Sequence, residues 1–133
     1  RPETPHSLRT DSALVSRSCT PRGQVVLTFE HSRIDSLVAE RLRRVLRSQV
    51  SEALADGTQE VVLDMRNVDF IDSRGLWVLT SVWRLIASSP TNRLSVVRCK
   101  DPIKRFLANC RVDRVLNVRN DQRDAAMDTP RPG

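Results

Sequence analysis

The segment from Val61 to Ile86, VVLDMRNVDFIDSRGLWVLTSVWRLI, restricts the fold more than any other part of the chain. Glu60 to Met65 (EVVLDM) is an apolar run of strand length, as expected for a buried strand. Leu76, Leu79, Val82, Trp83 and Ile86 then recur at helical spacing, which predicts an amphipathic helix from about Ser73 to Ser88 and puts Trp83 in the core. Residues 66–72 are left as a loop that carries Phe70 and Ile71 under the sheet. A buried strand passing through a short loop into a helix is the building unit of an α/β sheet covered by helices. Asp72 or Ser73 can cap the unsatisfied amides at the helix start. Gly75, in the first turn, lets another backbone come close.

The rest of the chain extends this unit. Ala13 to Cys19 and Gln24 to Phe29 read as two strands joined by the turn Thr20-Pro21-Arg22-Gly23, a hairpin. Asp35 or Ser36 can cap a helix that runs to Ala55 and stops at Asp56-Gly57. On it Val38, Leu42, Val45, Leu46, Gln49 and Ala53 share one face. Arg43, Arg44 and Arg47 fall on the other, with Glu40 able to pair with Arg44. That basic stripe is either a solvated face or an anion-binding one. Leu94 to Arg98 reads as a strand, Pro102 to Asn109 as a short helix, and Val115 to Val118 as a last short strand. The expected order is β-β-α-β-α-β-α-β: a mixed central sheet of four to five strands packed by three to four helices. Residues 1–12 read as a flexible arm, 13–120 as the domain, and 121–133 as a polar tail with room for one short helix.

Composition removes several functions. The chain has 133 residues, 39% of them hydrophobic, enough for one domain with a real core. No apolar run approaches the roughly 20 residues that span a bilayer, so membrane insertion is not expected. With no secretory signal in view, a cytoplasmic protein is expected. The net charge of +6 comes nearly all from Arg. Such a charge attracts nucleic acid or anionic surfaces, or reflects an Arg-favouring genome. Without Tyr or a basic patch interleaved with aromatics, a stacking platform for nucleic acid is not expected. Cys19, Cys99 and Cys110 lack metal-ligand spacing, and no cofactor or metal site is expected. Cys99 and Cys110 are either buried reduced thiols or a redox pair. No Ser/His/Asp or Cys/His arrangement, P-loop or GxGxxG is present, so a non-enzymatic protein is expected.

The segment resembles the STAS family, in particular its anti-sigma factor antagonists, whose strand, loop and helix read as LDL, loop, FIDSSGLG. Val62-Leu63-Asp64, Phe70-Ile71-Asp72-Ser73 and Gly75-Leu76 carry the likeness, which spans most of residues 13–127. The resemblance implies a small mixed sheet with helices against one face. It also implies a module that captures an anti-sigma factor of the serine-kinase type and so releases a sigma factor. In that family the kinase phosphorylates a Ser or Thr just before the motif glycine, and the added charge breaks the complex.

This chain departs at the decisive position, where Arg74 stands in place of the acceptor. Arg74 locks the module in a binding form, or Ser73 takes over as acceptor, or the partner differs and presents an acidic group to Arg74. Ser73 is otherwise a helix cap. Trp77 lies opposite the core face, beside Ser81 and Arg84, and is either an interface anchor or packed on a neighbouring loop or the N-terminal arm. Asp35 occupies the family's acidic position before the first helix. The expected partner surface is therefore Asp35, Asp72, Ser73, Arg74, Gly75, Trp77 and Arg84. Other STAS roles remain open: a subunit of a lipid-transport ABC complex, a stress-sensing scaffold, or a regulator that senses a ligand or redox state. A homodimer is compatible with all of them.

Overall fold

The computed structural model describes residues 14–119. The predicted arm and polar tail lie outside the described residues. Strand β1 (Val15–Cys19) and β2 (Val25–Phe29) form the predicted antiparallel hairpin, with Val15 opposite Phe29. The chain continues through β3 (Arg33–Ile34), α1 (Ala39–Ala55), β4 (Glu60–Asp64), β5 (Phe70–Ile71), α2 (Ser73–Ala87), β6 (Arg93–Val97) and α3 (Asp101–Asn109). The main sheet has the order β1-β2-β4-β6, with β2, β4 and β6 mutually parallel. Among the described residues the result is one α/β domain with a mixed four-stranded sheet and three helices.

Strand alternation assigns the two faces of the sheet. Val25, Leu27, Phe29, Val61, Leu63, Leu94 and Val96 point to one side and are buried in the core cluster with α1 and α2. From α1 that core takes Ala39, Leu42, Leu46, Val50 and Ala53, and from α2 Val78, Leu79, Val82 and Ile86. The two helices pack on each other over the sheet. Val50 rather than Gln49 completes the α1 stripe, because the helix is in phase with Ala39, Leu42 and Leu46. Trp83 packs against this core but is only partly buried, as is Val45.

Several expectations change. Asp35 and Ser36 do not cap α1, which begins four residues after Asp35; its N-cap, Val38, makes no side-chain cap. Asp35 instead closes a turn, its backbone carbonyl accepting from the Val38 and Ala39 amides. The α1 stop is as expected: Gly57 takes φ +92°, where L side chains are strained, and its amide donates to the Leu54 carbonyl. Glu40 pairs with Arg43 at 3.4 Å, one residue nearer than Arg44. Within the region read as loop, β3 and β5 pair in parallel, Arg33 with Phe70 and Ile34 with Ile71. The predicted last strand reduces to a single parallel bridge between Val118 and Val96. Among the described residues no helix is long and apolar enough to cross a membrane.

Candidate functional site

The β3–β5 ladder presents the start of α2. Backbone bonds from the Asp69 and Phe70 amides to the Ser32 carbonyl, and from the Asp72 amide to the Ile34 carbonyl, hold the approach. Ile34 and Ile71 point inward and are buried. Asp72 then leaves the strand in an extended conformation and becomes the N-cap. Its Oδ1 accepts from the Arg74 amide at 2.9 Å and the Gly75 amide at 3.1 Å. Asp72 therefore takes the capping role that the sequence left open between it and Ser73.

That assignment frees the next residue. Ser73 is exposed, and among the described residues its hydroxyl makes no hydrogen bond. Arg74 is exposed beside it, and Gly75 is buried. A Cβ on Gly75 would lie 2.3 Å from the Ile34 carbonyl oxygen and 2.6 Å from Ile71 Cγ1. The glycine is what lets α2 start so tightly against β3, so the exposed Ser73–Arg74 pair is held on a fixed base.

Trp77 follows one turn later and is half-buried between two guanidinium groups. Arg74 lies 4.4 Å from the ring centroid and Arg43, from α1, lies 5.0 Å away. Arg43 thus belongs to the inter-helix seam, not to the free basic face with Arg44 and Arg47. Stacking against the indole is available because its flat face accepts a cation. Arg84 is exposed in the last turn of α2, about 10 Å along the helix from Trp77 and on the same side. Among the described residues no hydrogen bond, ion pair or cation–π contact joins it to the other predicted residues.

On the opposite flank, Arg33 lies 4.2 Å over the ring of Phe70, which is 38% exposed. The expectation that Phe70 lies under the sheet fails: β5 alternates, so Ile71 faces inward and Phe70 outward. Asp35 sits low beside them, its carboxylate accepting from Arg33 Nε at 3.1 Å and from the Leu37 amide at 3.1 Å. The Arg33 hydrogen bond is the main force holding the Asp35 carboxyl below its ordinary range. The Leu37 amide adds to it and partial burial opposes it. Leu37 is 87% exposed, an apolar side chain in water at the rim. Leu37, Phe70 and Arg43 are not among the partner-surface residues that the sequence predicts; Arg43 is predicted only as part of the basic face of the first helix. The period-2 signal that would expose Phe70 is only two residues long.

The cysteines are separated by the fold. Cys99 precedes α3 and Cys110 caps its far end, so nine helical residues place them about 14 Å apart, beyond the roughly 7 Å limit between bridged Cα atoms. Both are free thiols. Burial, chiefly, pushes the Cys99 thiol up to about 12; the Asp64 charge raises it further and Lys104 pulls it down. An intramolecular Cys99–Cys110 redox pair is therefore excluded by α3 itself. Among the described residues no group of His, Cys, Asp and Glu could hold a metal ion.

Similar proteins share this architecture. No curated protein sequence matches the chain. An anti-sigma factor antagonist from Mycobacterium paratuberculosis superposes with a TM-score of 0.70 at 22% identity, covering 88% of this chain and 93% of its own. A candidate anti-sigma factor antagonist from Thermotoga maritima gives 0.68 at 17% identity, covering 91% and 98%. The Bacillus anti-sigma factor antagonist SpoIIAA in its unphosphorylated form gives 0.58 at 14% identity, covering 86% and 94%. At these identities the likeness shows a shared fold. The sequence adds the rest, since a family model for the STAS domain matches residues 19–125 and so takes in the strand, the Asp72 cap and the buried glycine described above. This chain belongs to the STAS domain family.

Proposed function

We propose that this protein is an anti-sigma factor antagonist: a cytoplasmic, non-catalytic module that captures an anti-sigma factor of the kinase type and so releases a sigma factor. The observation that carries the reading is the start of α2. There Ser73 and Arg74 stand exposed on a rigid cap, and Trp77 is stacked between Arg74 and Arg43. An aromatic flanked by guanidiniums, with Leu37 and Phe70 exposed nearby, has the composition of a binding hot spot. The partner surface comprises Asp35, Asp72, Ser73, Arg74, Gly75 and Trp77, with Arg84 at its edge. Asp72 and Gly75 shape the surface, and Arg74 and Trp77 touch the partner.

The phosphorylation switch is blunted in this reading. Ser73 is the one hydroxyl at the α2 start, and its lack of a capping role leaves it open to a kinase. A phosphate there would sit on the first residue of α2, where the helix dipole favours negative charge, beside Arg74. Local pairing would absorb much of the charge that otherwise drives the partner away. Arg74 thus keeps the module in its binding form and selects a partner with an acidic contact.

The test uses the full chain and each kinase-type anti-sigma factor of the same organism, by titration calorimetry. One of them binds saturably; Trp77→Ala and Arg74→Asp each weaken it by about tenfold or more. Adding Mg-ATP leaves the complex intact, even if mass spectrometry finds phosphate on Ser73. Saturable binding that neither substitution alters overturns the surface; no binding to any of these proteins overturns the function.

A further inference from the structure

The sheet face turned away from α1 and α2 carries chemistry that the surface at α2 does not use. Val26, Thr28, Val62, Asp64, Ser95 and Val97 alternate with the core residues and line a concavity of about 570 Å³. That volume is in the range of small-molecule sites, roughly 300–1,000 Å³. Val26, Val62 and Val97 give it an apolar floor. At the carboxyl ends of β4 and β6, Arg66, Arg98 and Arg119 border it around Asp64. The carboxyl ends of parallel strands are where open α/β sheets receive ligands.

The charges there do not satisfy one another. Asp64 Oδ2 is 3.8 Å from Arg66 Nε and 3.9 Å from Arg98 Nε. A charge-assisted hydrogen bond is about 2.7–2.9 Å long, so neither pair is closed. Asp64 Oδ1 is already taken by the Arg66 amide at 3.0 Å. The Arg119 side chain makes no hydrogen bond or ion pair among the described residues, and Nε of both Arg98 and Arg119 is buried without a hydrogen-bond partner. Two guanidinium groups thus approach the Asp64 carboxylate without closing on it, Arg119 lines the same cavity, and the cavity's other carboxylate, Glu60, is taken by Gln24 and Ser95.

The backbone is strained at the same place. Among the described residues three that are not glycine have positive φ: Arg98 at 60°, Arg111 at 63° and Asn117 at 55°. Arg98 and Asn117 both line this cavity. Asn tolerates the left-handed region, but Arg does not gain from it. Such strain, where it persists, concentrates at ligand clamps.

We propose that this cavity binds a small organic anion. Arg66, Arg98 and Arg119 hold its phosphate or carboxylate group, and its apolar body lies on Val26, Val62 and Val97. The inference is independent of the antagonist reading, because the two surfaces lie on different sides of the sheet.

The experiment titrates the full chain with 1-naphthyl phosphate and, separately, 1-naphthoate, followed by amide NMR and calorimetry, with neutral 1-naphthol as control. At least one anion binds saturably, shifts amides of β4, β6 and Arg119, and outcompetes naphthol; the stronger of the two identifies the head group. Arg119→Ala and Arg98→Gly each weaken it by about tenfold or more. Glycine accepts a φ of 60° without strain, so Arg98→Gly keeps the fold while losing the guanidinium. The proposal is overturned if neither anion saturates, if naphthol binds as well, if the shifts map to Ser73–Trp77, or if folded Arg98→Gly binds like the parent.

Discussion

Gly75 lies so close to Ile34 that a Cβ on it would fall 2.3 Å from the Ile34 carbonyl oxygen, a backbone atom that cannot swing aside. The first turn of α2 and the end of β3 are thus fitted at a point where only a hydrogen is tolerated. Gly75→Ala must push α2 off β3. The expected loss is about 2 kcal/mol or more of unfolding free energy, read from denaturant melts. Partner capture falls in parallel, because Ser73 and Arg74 ride on that turn.

The cap separates two adjacent residues. Asp72→Ala removes the acceptor for the Arg74 and Gly75 amides and costs about 1 kcal/mol. Ser73→Ala, with no cap to lose, stays within about 0.5 kcal/mol of the parent. Equal losses from the two substitutions in the same denaturant series would reject this division of roles.

The Arg43–Trp77 stack ties α1 to α2 through a surface contact. A double-mutant cycle of Arg43→Ala and Trp77→Ala is expected to give a coupling of about 0.5–1 kcal/mol in stability. Strictly additive losses would mean the stack is incidental.

Asp35 sets an acid limb. Its carboxyl is held below the unfolded value of 3.8, chiefly by Arg33, so the folded state binds fewer protons than the unfolded state. The resulting stability is present above about pH 4 and is lost as pH falls through the lowered value. Asp35→Asn flattens that part of the pH–stability curve and leaves the neutral-to-alkaline part unchanged.

Cys99 sets the opposite limb. With its thiol pushed up to about 12 from 9.0, its contribution is complete below pH 9.0 and declines as pH rises above it. At pH 8, Cys19 and Cys110, both exposed, react promptly with a thiol reagent, and Cys99, half-buried with its thiol held protonated, reacts more slowly. Prompt reaction of all three under native conditions would contradict the burial.

Long periodic segments were legible in the sequence. The stripes of α1 and α2 and the runs of β2, β4 and β6 are set by burial along whole elements, and local pattern reports burial well. Short elements were not: β3 and β5 are two residues each, and their pairing depends on segments more than thirty residues apart. Phe70 was misplaced for that reason. The site was legible at Asp72 and Gly75, whose roles are backbone roles tied to residue type. It was opaque at Arg43, whose partner lies on another helix. Asp64 read as part of a doubly buried strand, because sequence alternation cannot say that, among the described residues, no helix covers the far side of the sheet.

The chain's return at 117–119 has a further consequence. The Val96 amide donates to the Asn117 carbonyl and the Arg119 amide donates to the Val96 carbonyl, so the carboxyl-terminal part of β6 is spoken for on its outer side. An unguarded border of this kind would invite another polypeptide to add itself as an extra strand. Here the strap interrupts that border, and the stretches left on either side are too short to template a register. A second copy is therefore not expected to extend the sheet from β6.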